Sequence, residues 1–175
     1  VGNTTKKPFT REFSLKIPKT ILWDINNPHL YKIRVTLREK GGKQLDQVNE
    51  RFGLRTFSFD GRGFHLNRRI LKMKGVCLHH DGGCVGAAVP KAVWKRRFEK
   101  LKSMGCNAIR TSHNVPARNF VELADEMGIL LIDETFDKWT LRPRIGAWGG
   151  KDFKRDWKHE LRNFVRRDRN SPSVV

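Results

Sequence analysis

The sequence predicts an α/β chain in which the last strands of an antiparallel β-sandwich lead into the first three to four βα units of a (β/α)8 barrel. Three observations carry this expectation. Apolar residues alternate in short runs over the first third, the period of half-buried strands. From about residue 70, compact apolar runs alternate with segments of helical period, the pattern of a parallel sheet covered by helices. Three such repeats fit into the 175 residues, and Ser173-Val174-Val175 starts a fourth apolar run.

The elements follow in order. Phe13, Leu15 and Ile17 alternate, as do Tyr31, Ile33, Val35 and Leu37, and Gly41-Gly42 marks a turn after the second run. A further strand run extends from Phe52 to Phe59, with turns at Asp60-Gly61 and Asn67-Arg68 around Phe64 and Leu66. Short strands with close turns read as the end of a sandwich, over residues 1–60; the barrel portion is residues 61–175. Leu71 to Leu78 reads as the first barrel strand. Pro90 opens a helix carrying Trp94, Phe98 and Leu101 on one face, and Gly105 closes it. Asn107 to Ser112 is the second strand. Pro116 opens a helix with Phe120, Leu123, Ala124 and Met127, closed by Gly128, and Ile129 to Asp133 is the third strand. A loop rich in glycine and tryptophan follows (Gly146, Trp148, Gly149, Gly150). The third helix, about 152–168, places Phe153, Trp157, Leu161, Phe164 and Val165 on one side.

Composition narrows the function classes. The 36 Lys and Arg against 18 Asp and Glu give a net charge of +18. These cations are spread over helix faces (Lys95, Arg96, Lys100 and Lys102; Lys154, Arg155, Lys158 and Arg162) and interleaved with Asp156 and Glu160. That is the distribution of a solvated helical surface rather than of a nucleic-acid-binding arm, so no specific nucleic-acid partner is expected. No apolar run approaches the roughly 20 residues that span a bilayer, and no membrane partner is expected. The chain begins at Val1, and no signal-peptide pattern is visible in it. Cys77, Cys84 and Cys106 form no metal-ligand or redox spacing and read as buried or free thiols. A half barrel leaves unpaired strand edges, which would offer a surface for self-association into a homo-oligomer.

Polar residues gather at the ends of the three predicted barrel strands, where barrel enzymes carry their chemistry. The first strand ends in His79-His80-Asp81, the second in Arg110-Thr111-Ser112-His113-Asn114, and the third in Asp133-Glu134, with Asp137 and Trp139 beyond. Any one histidine after a strand is more often structural than functional. Three polar clusters at successive strand ends converge on one pocket, equipped with carboxylates, imidazoles, a guanidinium and indole. Such a set suits sugars, with flat aromatic faces for pyranose rings and polar groups for hydroxyls.

Here four stretches resemble glycoside hydrolase family 2. LWDINNPHLY is similar to the motif that closes that family's sandwich domain. ERFGLRTFSFDGRGFHLNRRILKMKGVCLHHD resembles its junction into the barrel. MGCNAIRTSHNVPARNFVELADEMGILLIDE resembles its second strand, second helix and third strand. VRRDRNSPSVV resembles the approach to its fourth strand. The wording LHHD…GAAVP and DETFDKW is most similar to bacterial β-galactosidase-type members.

The resemblance implies a retaining exo-β-glycosidase, foremost a β-galactosidase acting on terminal β-D-galactosides, with carbohydrate as partner and no cofactor. It implies that Arg110 keeps the nucleophilic glutamate ionised, against the plainer role of a salt bridge to a barrel acid. It implies that His113 and His79 contact sugar hydroxyls, with His80 beside them. Asp133 and Glu134 match acids at the floor of the site, either touching substrate or orienting other residues. Asp137 and Trp139 would shape the sugar subsite or pack locally. Both catalytic glutamates, acid/base and nucleophile, are expected beyond Val175, so the chain alone is expected to be inactive and to hold no catalytic residue. The same resemblance points to a periplasmic or extracellular setting.

The chain also departs from the family pattern. Asn114 stands where tyrosine is common, Ser171 where histidine is common, and Arg68 replaces the usual turn glycine. Lys138 and Thr140 occupy the positions of the acid and histidine that hold magnesium in some members, so no metal site is expected in this stretch. Alternative readings are a β-glucuronidase or β-mannosidase of the same family, or a non-catalytic module that binds carbohydrate or polyanions.

Overall fold

The computed structural model describes residues 10–140 and 150–175; Gly146, Trp148 and Gly149 of the glycine- and tryptophan-rich loop lie outside them. The first paired elements are β1 (Tyr31–Arg38) and β2 (Gln44–Phe52), an antiparallel hairpin in which Tyr31 faces Phe52. Gly42, at a φ of +87°, takes the conformation that glycine adopts without Cβ strain, and its N–H donates to the Glu39 carbonyl at 2.8 Å. Phe13 and Leu15 alternate as a strand would, yet among the described residues nothing pairs with them, and they are 84% and 73% exposed. Alternation marks a surface able to pair, and the strand itself requires a partner.

The expected single run from Phe52 to Phe59 is two strands with a joint between them. β2 ends at Phe52 and β3 (Phe57–Asp60) begins after four intervening residues. The joint is broken by tertiary packing: a Cβ on Gly53 would lie 2.6 Å from Pro172 Cγ and 2.9 Å from Trp23 Cβ. The backbone passes against these two residues with no space for a side chain. Antiparallel pairing joins β3 to β4 (Gly63–Leu66) and β4 to β5 (Arg69–Ile70). Asn67 and Arg68, the two residues of the β4–β5 turn, both have positive φ, at 51° and 66°. This tight hairpin geometry suits Asn and strains Arg.

The remaining elements are β6 (Gly75–His79), α1 (Lys91–Ser103), β7 (Ala108–Ser112), α2 (Arg118–Met127), β8 (Leu130–Ile132) and α3 (Lys151–Asp168). β6, β7 and β8 form a parallel sheet in chain order, with Val76 opposite Ile109 and Ile109 opposite Leu131. The first of these strands is shorter than expected. Leu71 N donates to the Phe64 carbonyl at 2.9 Å, so the residues before Gly75 are held on the small sheet. A bridge from Leu131 to Val174 begins a fourth parallel strand at the chain's end.

Strand parity sorts this sheet into two faces. Val76, Leu78, Ile109 and Leu131 pack outward against Trp94, Phe98, Phe120 and Val121 of α1 and α2. Ala108 and Leu130 face the other way, onto Trp23 and onto Phe64 and Leu66 of the small sheet, which closes the interior of the sheet from below. Burying Trp94 and Phe98 fully contributes on the order of 2–3 kcal/mol each before entropy is counted. Pro90 and Gly128 delimit the helices as expected; Gly128 has a φ of +68° and approaches the Ile25 carbonyl too closely for any Cβ. α3 forms over nearly the predicted residues, but its apolar side is not buried. Leu161 and Val165 are exposed, and Asp168 is its buried residue.

Candidate active site

The inward face above Ala108 and Leu130 carries the polar groups. Two residues beyond Ala108, Arg110 has the same parity and points inward. Its Nε donates to Glu134 Oε1 at 2.6 Å, and a second guanidinium nitrogen also contacts that oxygen. Glu134 Oε2 lies 3.0 Å from His113 Nδ1. The Glu134 backbone N–H donates to Thr111 Oγ1 at 2.9 Å, which sets the start of this loop against β7. One carboxylate thus bridges a guanidinium and an imidazole from the adjacent strand. The His79 ring meets His113 edge-on, 5.3 Å between centroids. The Ser112–His113 peptide is cis.

Cys77, not singled out by its sequence, belongs to this wall. It lies two residues before His79 on β6, so it shares that residue's face, and Arg110 donates to its Sγ at 3.4 Å. Hydrogen bonding from Arg110, then from Ser112, lowers the thiol below its ordinary value, and the same bond with that to Glu134 raises the guanidinium. The parity with His79 was available in the sequence. Cys77, Cys84 and Cys106 are all free thiols.

The other expected site residues are placed elsewhere. His80 follows His79 and so turns to the opposite side, against Trp94 (5.0 Å) and Phe120 (6.3 Å) in the helix layer; burial there lowers its pKa. Asp133 likewise has the parity opposite to Glu134. Both of its carboxyl oxygens are buried without a hydrogen-bond partner among the described residues. Desolvation, reinforced by the negative charge of Asp168, pushes Asp133 up to about 7. Asn114 is exposed and lines a shallow pocket with Thr135, Phe136 and Asp156, apart from the Arg110 cluster. Asp137 Oδ1 accepts from Lys138 Nζ at 3.0 Å. Trp139 donates through Nε1 to the Phe136 carbonyl at 3.2 Å and stacks at 6.3 Å on Phe153. An ammonium at Lys138 and a hydroxyl at Thr140 are a poor donor set for a divalent cation, and the Lys138–Asp137 pair occupies the nearby carboxylate.

A small antiparallel sheet closing the base of parallel βα units, with charged side chains at the strands' C-terminal ends, is the architecture of a sandwich domain joined to the opening of a TIM-barrel domain. Comparison with known families agrees with this architecture: the TIM barrel domain of the glycosyl hydrolases family 2 matches residues 58–175, and a second model of that family matches residues 1–55. The chain belongs to glycoside hydrolase family 2. It is 44% identical over 168 residues to a β-galactosidase of Bacteroides ovatus, covering 95% of this chain and 19% of that protein. It is 38% identical to a putative β-glucuronidase of Formosa agariphila, over 93% of this chain and 16% of the relative. Among solved structures, a β-glycosidase from Bacteroides vulgatus superposes with a TM-score of 0.83 at 41% identity, over 90% of this chain and 20% of the other. The chain therefore spans about a fifth of the length of the curated relatives it matches.

Proposed function

We propose that the protein to which these residues belong is a retaining exo-β-glycosidase that removes terminal β-D-galactose, with residues 1–60 ending its sandwich domain and residues 61–175 opening its catalytic barrel. The observation that carries this reading is the Arg110–Glu134–His113 cluster at the C-terminal ends of adjacent parallel strands. The 44% identity to a β-galactosidase supports the choice of sugar.

In this reading the two catalytic glutamates lie in the part of the relatives that this chain does not span. Retention requires their carboxyls about 5–5.5 Å apart. One attacks the anomeric carbon while the other protonates the departing oxygen; water then releases the sugar with the second acting as base. Arg110 keeps a neighbouring carboxylate ionised by charge-assisted hydrogen bonding. Glu134 orients Arg110 and His113 together, and His113 and His79 present ring N–H groups to sugar hydroxyls. Trp139, stacked on Phe153, and Asp137, paired with Lys138, take the local-packing role. Asp133 and His80 act from behind the wall, as supports.

A second reading is a β-glucuronidase, favoured by the 38% identity to a relative of that name and by a Parabacteroides merdae β-glucuronidase structure with a TM-score of 0.78 at 30% identity. Parallel assays of the full-length protein on aryl β-galactoside, β-glucuronide and β-mannoside separate them. Preferential cleavage of the galactoside is expected. Preference for the glucuronide transfers the assignment, and no cleavage of any of the three by folded protein refutes both readings.

A further inference from the structure

The fourth strand is held from outside the sheet. Its first residues make sheet bonds on one side only: Leu131 N–H donates to the Ser173 carbonyl at 2.8 Å, and Val175 N–H to the Leu131 carbonyl at 3.0 Å. Two charged side chains take most of the other backbone groups. Arg55 Nε donates to the Pro172 carbonyl at 2.6 Å, and its terminal nitrogen donates to the Val174 carbonyl. Asp125 Oδ1 accepts from Ser173 N–H at 3.0 Å and from Ser173 Oγ at 2.6 Å. Ser173 is fully buried, and Val174 N–H turns back to the Ser171 carbonyl.

Arg55 and Asp125 come from different parts of the chain. Arg55 lies on the joint between β2 and β3, whose Gly53 packs on Pro172. Asp125 lies on α2, and its carbonyl accepts from Trp23 Nε1 at 2.8 Å; Trp23 N–H in turn donates to Leu54 of the joint at 2.8 Å. Burial raises Asp125 to about 6, and its hydrogen bonds from Ser173 oppose that rise.

We propose that Arg55 and Asp125 form a clamp that fixes the register of the fourth barrel strand and so couples the sandwich–barrel joint to the site. A strand that slips by one residue turns every side chain to the opposite face. Val174 pairs with Leu131, which puts Val175 level with Ile132 and so with that residue's partner Arg110, at the strand ends that carry the site. Whatever functional group the fourth strand delivers there has its orientation set by this clamp. The two are positioning residues: neither touches the Arg110 cluster among the described contacts. This step rests on reading the C-terminal strand ends as the site.

Hydrogen exchange on the full-length protein tests the clamp, with turnover of aryl β-galactoside as the second readout. Asp125→Ala and Arg55→Gln should each speed exchange of the 171–175 amides by about tenfold, the size expected for losing a hydrogen bond to a charged group, while β1 and β2 amides stay unchanged. The turnover number should fall about tenfold with a smaller change in KM, as for a misplaced catalytic group. Asp125→Asn keeps the Oδ1 acceptor and should preserve both readouts. Ser173→Ala, which deletes one bond only, serves if Asp125→Ala does not fold, and should speed the same amides. Unchanged 171–175 exchange overturns the clamp, as does acceleration matched in β1 and β2, which marks general destabilisation. Wild-type protein inactive on every sugar, with the exchange pattern as expected, would instead refute the glycosidase reading and leave the clamp standing.

Discussion

Asp133→Asn should flatten the pH dependence of stability between about pH 4 and pH 7. The Asp133 carboxyl is buried with neither oxygen bonded among the described residues. Desolvation, then the negative charge of Asp168, lifts it from 3.8 to about 7, against smaller opposing effects of Arg167 and of the nearby Thr111 hydroxyl. The folded-state value is the raised one, so the protonated form is favoured on folding. The associated stability is therefore fully present below pH 3.8 and is lost as pH rises through about 7. A rise of that size corresponds to about 4 kcal/mol at pH 7, and side-chain relaxation reduces it to about 2–4 kcal/mol. The buried amide of the variant has its own desolvation cost, but that cost does not vary with pH and cancels in the slope. Urea unfolding followed by tryptophan fluorescence, at pH 4 and pH 7 for both proteins, measures it. The wild type should lose about 2 kcal/mol or more relative to the variant across the interval. Equal losses in the two proteins would refute the argument that Asp133 is held in a desolvated, unpaired site.

Other expectations follow from particular contacts. Arg68→Gly should stabilise the β4–β5 turn by about 0.5–1 kcal/mol, because it relieves a positive φ at some cost in unfolded-chain entropy; thermal unfolding reads it. Gly53→Ala should destabilise by about 1–3 kcal/mol, since its Cβ would meet the Pro172 ring at 2.6 Å and neither backbone has room to withdraw; the denaturant midpoint reads it. Glu134→Gln in the full-length protein should lower kcat/KM by about tenfold or more, because a neutral amide leaves Arg110 without its charge-assisted partner; steady-state kinetics reads it.

Much of this architecture is legible in the sequence. The βα units stand out because buried parallel strands and helical faces have distinct periods, and Pro90 and Gly128 delimit helices by their own backbone chemistry. Arg110, His113 and Glu134 stand at strand ends that the alternation already places side by side. What stayed hidden depends on tertiary context. β2 reads QLDQVNERF, with no sustained alternation, and it exists through its pairing with β1. The break at Gly53 is set by Pro172, 119 residues away in sequence, and nothing local signals it. The division between the two faces was partly recoverable. Strand parity separates His79 from His80 and Glu134 from Asp133 and joins Cys77 to His79, whereas grouping all polar residues at a strand end merges the two sides.

The most direct test of the account is the hydrolysis of an aryl β-galactoside by the full-length protein, compared with its Arg110→Ala variant at equal folded concentration. The account predicts cleavage by the wild type and a loss of about 100-fold or more in kcat/KM for the variant, the size expected when a neighbouring carboxylate loses its charge-assisted partner near the reacting centre. Full activity in Arg110→Ala would contradict the placement of the site at the Arg110–Glu134–His113 cluster.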